Sequence, residues 1–410
     1  MGEAAKRYGT PLYVYDGDLI LSRFTEFSEA VRRVYDRSRI FYAMKANSSL
    51  AILSLLRREG AGVDCVSGGE VTTALKAGFK PADIVFTSNS KSREELSLAL
   101  SAGVNITQDN LDELNALAAM AADAKATARV SFRVNPDVNP NTHPKIATGL
   151  RESKFGLHFL GDIAFNSYRM AASMSSVKVV GVHAHIGSQI LEAAPFVEAA
   201  AKVFSFAARL KSELGLRLEF IDLGGGLGIP YRTEDRPLSA GDYAEALKPV
   251  IEAGVDSLGY RPQLYFEPGR YIVGPAGVML ATVNSVKETP VRRFVNVDAG
   301  FNTLARPAMY GSYHRASVLG KRGGAATYDI AGNVCESGDI LVKDRTLPDG
   351  VSRGDILVFH DAGAYGFSMA SEYNGRPLPA EVMVIGGRIH LIRERGSIEG
   401  LWSQQNIPGK

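Results

Sequence analysis

The sequence predicts an α/β fold, a (β/α)8 TIM-type barrel followed by a mainly β C-terminal domain. Three observations carry that expectation. Eight short runs rich in β-branched and aromatic residues recur between residues 39 and 267, each separated from the next by a longer stretch with helical patterning. Six of the runs end directly on chemically unusual residues, where barrels of this type keep their chemistry. Beyond about residue 275 the long helical stretches stop, and strands punctuated by Gly and Pro take over.

In order, the strand runs are 39–45, 62–66, 83–87, 104–107, 128–134, 177–185, 218–222 and 263–267. Between them, 50–58, 94–102, 111–122 and 195–214 are rich in Ala, Leu and Glu, good helix formers at helical apolar spacing. Eight strands with their crossovers close one barrel, expected over residues 17–275. The C-terminal β domain is expected over 276–410, with strands at 278–286, 293–298, 326–330, 355–360 and 381–385. The run 11–15 precedes the barrel pattern, so an N-terminal strand segment, 1–16, is expected to join the β domain. Residues 403–410 read as a loose tail.

The 410-residue chain sets 46 Lys+Arg against 44 Asp+Glu, a net charge of +2, with the two signs interspersed. Such a surface has no field to hold nucleic acid or an anionic membrane, and neither is expected as a partner. The two cysteines, Cys65 and Cys335, form no C-x-x-C and no Cys/His cluster. Neither a disulfide framework nor a structural zinc site can be built from them, which points to a reducing cytoplasm. Residues 1–20 carry Glu3, Lys6, Arg7, Asp16 and Asp18 and lack the apolar core of a secretory signal. No run of about 18 apolar residues exists, so a soluble, unanchored protein is expected.

Four features carry chemistry. Lys45, in Tyr42-Ala43-Met44-Lys45-Ala46-Asn47, emerges at the mouth of the barrel beside a largely buried wall. A lysine so placed can lose its proton and condense with a carbonyl, whereas read alone it is a surface lysine at a strand end. Gly224-Gly225-Gly226-Leu227-Gly228 follows the seventh run, where barrel loops form phosphate sites from backbone N–H groups; the plainer reading is a turn. Glu267 ends the eighth run ahead of Pro268-Gly269-Arg270. It is suited to hold a protonated pyridine nitrogen, or else to pair internally with Arg270. His183 and His185 share one face of the sixth run. They have no third metal ligand at a recognisable spacing, so no metal is expected. His185 suits a flat ring packed on a cofactor, and His183 a satisfied core position.

With these residues in hand, the sequence resembles the fold-type III, alanine-racemase-like enzymes that use pyridoxal 5'-phosphate (PLP), and within them the meso-diaminopimelate decarboxylases. The resemblance runs through residues 42–47, His143 to Gly149 with Ser153-Lys154-Phe155-Gly156, His185-Ile186-Gly187-Ser188-Gln189, 224–228, Glu267-Pro268-Gly269-Arg270, Asp298-Ala299-Gly300-Phe301-Asn302, Arg306-Pro307 and Tyr310. It continues through Cys335-Glu336-Ser337-Gly338-Asp339, Ala362-Gly363-Ala364-Tyr365 and Tyr373-Asn374-Gly375-Arg376-Pro377. Any one stretch is unspecific, and the ordered series is not. Val334 and Leu378 depart from the residues usual in the family, the first as a small change of volume.

The resemblance implies that Lys45 carries PLP, His185 stacks on its ring and Glu267 pairs with its nitrogen. Ser188, Gly225, Gly226, Gly269, Arg270 and Tyr365 would help to hold it. Arg270, Arg306, Tyr310 and Tyr365 would bind the substrate, with Arg270, Arg306 and Tyr310 on its distal carboxylate and Glu336 on its distal ammonium. Cys335 is the family's candidate proton donor. Cys335 and Glu336 would serve the other subunit's site, making the unit a homodimer. Two arginines and one glutamate match a distal amino-acid end, since an arginine fork meets a carboxylate bidentately. The implied reaction is conversion of meso-2,6-diaminopimelate to L-lysine and CO2. Decarboxylases of ornithine or arginine have substrates without that carboxylate. A carboxynorspermidine-type substrate, or a catalytically silent PLP-fold binding protein, remains as the alternative.

Overall fold

A computed structural model describes all residues except 141, 144, 145, 147, 324, 325, 409 and 410. Three positions of the stretch from His143 to Gly149, and the last two of the expected tail, therefore lie outside the described residues. The chain divides into two compact units, one of Leu21–Ile229 with Arg236–Tyr271, the other of Met1–Ile20, Pro230–Asp235 and Ile272–Lys410.

The first unit is the expected barrel. Its strands are Ser38–Ala43, Gly62–Cys65, Ile84–Thr87, Asn105–Gln108, Ala128–Asn135, Val177–His183, Phe220–Asp222 and Gln263–Phe266. Each pairs in parallel with the next, and the eighth closes on the first through Leu264 opposite Ser38. Both faces of these strands are buried, which is why they read as near-continuous apolar runs. The helices between them start and stop on local chemistry. Ser67, Ser92, Asn110 and Ser239 accept the backbone N–H three residues on, and Gly103, Gly215 and Gly259 end their helices in the left-handed conformation. The helices Ala194–Leu214 and Ala240–Leu258 meet closely because Gly254 leaves room for the Phe204 ring.

Inside the barrel, Phe41, Val85, Val180, Phe220 and Tyr265 form one buried cluster. Phe41 and Phe220 both lie against Tyr265, with ring centroids 4.2 and 4.4 Å away. This apolar layer is a floor. Side chains along a strand return to the same face every second residue, so the next inward layer toward the strand ends is Asp64, Thr87, Asp222 and Glu267. His183 joins it one residue late, because the sixth strand carries an extra residue at Val180. The floor seals one end, and a polar ring faces the other.

The second unit is mainly sheet, as expected. Its central path runs Ile340–Leu347, Ala326–Ala331, Arg293–Val297, Gly277–Glu288, Leu12–Asp16, Ala380–Ile385 and Arg388–Arg393. Ile356–Phe359 pairs with both Gly277–Glu288 and Ala316–Val318. Leu12–Asp16 does pair into this sheet, antiparallel to Gly277–Glu288 and parallel to Ala380–Ile385. The N-terminal segment is not strand throughout, however. Gly2–Tyr8 is a helix, with Glu3 in its first turn, Lys6 and Arg7 in its last, and Ala4 and Ala5 buried. Among the described residues of this unit, three strands escape the sequence reading, Ala316–Val318, Ile340–Leu347 and Arg388–Arg393. The last two are charged and half exposed, at the edges of the sheet, so they lack the apolar runs that marked the others.

Candidate active site

The polar ring of the barrel gathers most of the expected cofactor residues. Lys45 sits in the tight turn Met44–Ala46 that follows the first strand, and its Nζ donates to Asp64 Oδ2 at 3.0 Å. Asp64 is fully buried, and its Oδ1 accepts the Thr87 hydroxyl. Burial and the charge of Glu267 push the Asp64 carboxyl up, and Lys45 pulls it back.

Glu267 is 3% exposed and lies with its Oε2 3.2 Å from His183 Nε2. Burial alone would raise its pKa, but His183 and Lys45 outweigh burial and hold the carboxyl down at about 2. Asp222 goes the other way, pushed well above the usual carboxylate range by burial and by the charge of Glu267. Its Oδ1 accepts the Gly224 N–H at 2.9 Å. Ligand atoms of His183, Asp222 and Glu267 lie within 4.8 Å of one another, all three residues buried. Glu267 therefore pairs with His183 and not, as one reading of the sequence had it, with Arg270. His183 is correspondingly more than a core histidine.

His185 accepts the Gly225 N–H on Nδ1 at 3.1 Å. That bond places the ring's proton on Nε2 and fixes the ring plane. Burial first, then the Lys45 and Arg133 charges, push its pKa well below the ordinary value, so the ring is neutral at physiological pH. The Gly225 N–H, expected to face a phosphate, is thus taken by His185. The glycine turn is nonetheless obligatory. A Cβ at Gly225 would sit 1.9 Å from the Glu267 carbonyl oxygen, and one at Gly226, whose φ is 119°, would sit 2.4 Å from the Gly187 carbonyl oxygen. Beside the turn, Arg270 Nη2 and Nε donate to Ser188 Oγ at 3.0 and 3.3 Å. Gly269 packs against the end of the first strand, where a Cβ would come 3.0 Å from the Ala43 carbonyl oxygen.

A cavity of about 320 Å³ opens over this ring, lined among others by Lys45, Thr87, Arg133, His183, His185 and Glu267. Glu267 Oε1 is buried there with no hydrogen-bond partner. A buried acceptor facing a cavity of ligand size, a nucleophilic lysine and a flat neutral imidazole fit a protonated pyridine ring with a carbonyl substituent. Arg133 completes the wall, donating to the His185 carbonyl at 3.1 Å with its guanidinium 4.4 Å above the Phe155 ring. The sequence reading assigned no role to Asp64, Thr87, Arg133 or Asp222, which lie in strands or at their last residue. The twofold strand period, counted on from Gly62, Val85 and Phe220, would have found Asp64, Thr87 and Asp222.

The remaining expected residues belong to the second unit. Arg306 opens the helix Arg306–Tyr310, is 5% exposed, and donates from Nη1 to His314 Nε2 at 3.0 Å. Tyr310 ends that helix half-buried. Cys335 and Glu336 are exposed on a loop pinned by Asp339, which accepts the N–H of Val334 at 2.8 Å and of Phe301 at 2.7 Å. Glu336 Oε1 accepts the Tyr373 hydroxyl at 2.8 Å, and the Cys335 N–H donates to Asn374 Oδ1 at 2.7 Å. Tyr365 adopts a left-handed φ of 55°, a conformation that a bulky side chain takes up only when its surroundings impose it.

Residues 19–274 match the family described as pyridoxal-dependent decarboxylase, pyridoxal binding domain. The diaminopimelate decarboxylase of Methanothermobacter thermautotrophicus is 44% identical over an alignment covering 100% of this chain and 94% of that protein. That of Bacillus subtilis is 40% identical, over 97% and 91%. Among solved structures, diaminopimelate decarboxylase from M. jannaschii in complex with L-lysine superposes with a TM-score of 0.94 at 41% identity, over 99% of this chain and 94% of that one. The Helicobacter pylori enzyme, also complexed with L-lysine, gives 0.91 at 39% identity, over 98% of both chains. Fold, polar ring and relatives agree, and the chain belongs to the diaminopimelate decarboxylases within the pyridoxal-dependent decarboxylase family.

Proposed function

We propose that this chain decarboxylates meso-2,6-diaminopimelate to L-lysine and CO2, the last step of lysine biosynthesis, with PLP bound in the barrel. The observation that carries the reading is the polar ring itself, Lys45 on Asp64 facing a buried, ionised Glu267 held by His183, in a chain that aligns end to end with diaminopimelate decarboxylases. When bound, PLP supplies an electron sink for the pair left behind by departing CO2.

The chain's own groups do the rest. Lys45 is the covalent anchor, and Asp64 Oδ2 takes the hydrogen bond of its Nζ while the lysine waits at the mouth. Glu267 Oε1 would accept the N–H of a protonated pyridine ring, while its Oε2 lies 3.2 Å from His183 Nε2. Neutral His185, its plane set by the Gly225 N–H, would cover one face of the ring and exclude water from it. Ser188, Gly225, Gly226, Gly269, Arg270 and Tyr365 complete the cofactor's holding set. Arg270, Arg306 and Tyr310 take the substrate's distal carboxylate, and Glu336 takes its distal ammonium. Cys335 Sγ returns a proton to the carbon that lost CO2. An exposed thiol and carboxylate side by side on a pinned loop suit a loop that serves a neighbouring subunit, and the working form is a homodimer in the cytoplasm. No helix among the described residues is long and apolar enough to cross a membrane.

The test is a parallel incubation of the PLP-loaded protein with meso-diaminopimelate, LL-diaminopimelate, ornithine, arginine and carboxynorspermidine, with products read by mass. Lysine from the meso isomer alone is expected. Turnover of another substrate, or of none by protein with PLP bound, keeps the fold and overturns the substrate.

A further inference from the structure

Arg306 is held in an unusual way for a buried arginine. Its Nη1 lies 3.0 Å from His314 Nε2, and His314 is itself only 1% exposed. A guanidinium has donors and no acceptor, so His314 Nε2 must offer its lone pair and carries no proton. His314 Nδ1 lies 2.9 Å from the carbonyl oxygen of His360, a pure acceptor, and therefore holds the ring's single proton. Two hydrogen bonds with fixed directions thus set one tautomer and one ring plane. Tyr231 makes the third contact. The Arg306 guanidinium lies 4.8 Å over its ring, and the same ring meets His314 edge-on at a centroid distance of 5.6 Å. Tyr231 belongs to the short segment Pro230–Asp235, which is part of the same compact unit as Arg306 and His314.

A neutral imidazole acceptor fixes the guanidinium and leaves its charge intact. We propose that His314 is a positioning residue that orients Arg306 for the distal carboxylate of the substrate, and so sets the preference for ligands carrying one. This rests on the role given to Arg306 under the proposed function.

The test uses PLP-loaded wild type, His314→Ala and His314→Gln, with initial rates on meso-diaminopimelate and calorimetric binding of cadaverine, the diamine that lacks both carboxylates and therefore the distal one. Loss of a hydrogen bond to a charged group predicts a rise in KM of about 10- to 100-fold in His314→Ala. With only substrate positioning affected, kcat should move by less than about threefold, and cadaverine should bind as to wild type. Glutamine can turn its carbonyl oxygen to the guanidinium and its amide N–H to the His360 carbonyl, so His314→Gln recovers most of the KM. An unchanged KM in His314→Ala, an equal loss of cadaverine affinity, or a glutamine variant no better than alanine each overturns the proposal. If the alanine variant does not fold, the glutamine variant decides. A KM within about threefold of wild type, with cadaverine affinity kept, supports the role, and a larger rise overturns it. Wild type that does not turn over meso-diaminopimelate removes the reading of Arg306 and this proposal with it. Active wild type with an unaltered His314→Ala removes this proposal alone.

Discussion

Asp222 and Glu267 are two buried carboxyl groups in one polar ring with opposite charge states. Glu267 has the imidazole of His183 at 3.2 Å and stays ionised, whereas Asp222 accepts a single backbone N–H and meets the charge of Glu267. Asp222 therefore keeps a proton in the folded chain that it releases on unfolding. Its contribution to stability is fully present below its unfolded pKa of about 4 and is lost as pH rises toward the raised folded value. Asp222→Asn keeps the Oδ1 acceptor and removes the titration. The variant's apo protein should melt above wild type at pH 8, with the gap shrinking toward pH 5, as read by scanning calorimetry; a gap that does not change with pH would contradict the assignment. Glu267→Gln cannot keep a ring nitrogen protonated, and kcat should fall by about 100-fold or more with PLP still bound. A rate within a few-fold of wild type would remove Glu267 from its role. At this scale the sequence disclosed Lys45, His185 and Glu267 because each follows an apolar run. It gave no role to Asp64, Thr87, Arg133 and Asp222, whose neighbours in the polar ring come from other strands, and it left His183 as a core residue because its partner is 84 positions away.

The turns after the strands depend on contacts that no local pattern reveals. In the loop after the third strand, the Lys91 ammonium is wholly buried, donating to Glu113 Oε2 at 3.0 Å and to the Ser88 carbonyl at 2.7 Å. Glu113 also accepts the N–H groups of Lys91 and Asp109. This one ion pair ties the loop containing Ser88 and Asn89, which line the cofactor cavity, to the helix Leu111–Asp123 of the following β/α unit. Removing one charge of a buried pair is expected to destabilise the chain by about 3 kcal/mol. Glu113→Gln should show that loss as a lower urea midpoint with an unchanged slope, and an unshifted midpoint would mean the pair is dispensable. Gly225→Ala forces a Cβ against the backbone at Glu267. It should weaken PLP binding by displacing Glu267 and His185 together, and full PLP affinity in that variant would show that the turn can adjust. Strand and helix positions were legible in the barrel because both faces of each strand are buried and each helix is amphipathic. In the sheet unit, half-exposed edge strands such as Arg388–Arg393 alternate weakly and carry charges, so nothing in their composition separates them from loop.

For the molecule as a whole, the expected order of barrel and then sheet holds, and Leu12–Asp16 closes the sheet from the far end of the chain. What composition could not show is the excursion Pro230–Asp235, which leaves the barrel sequence after Ile229 to join the sheet unit and carries Tyr231 to Arg306. The homodimer is testable by complementation. Lys45→Ala and Glu336→Ala should each be inactive alone. Mixed under exchange conditions, they should recover about a quarter of wild-type activity, because half the dimers are hybrids and each hybrid has one intact site. No recovery would mean that both residues serve a site within one chain.

The central claim is that a bound amino acid loses CO2 and gains one proton at the same carbon. The most direct measurement is incubation of the PLP-loaded enzyme with meso-diaminopimelate in D2O, with CO2 counted and the amino-acid products weighed by mass spectrometry. The account predicts lysine carrying a single carbon-bound deuterium, with one CO2 released for each lysine formed. Deuterated diaminopimelate without CO2 would make the enzyme a racemase on the same fold and contradict the account.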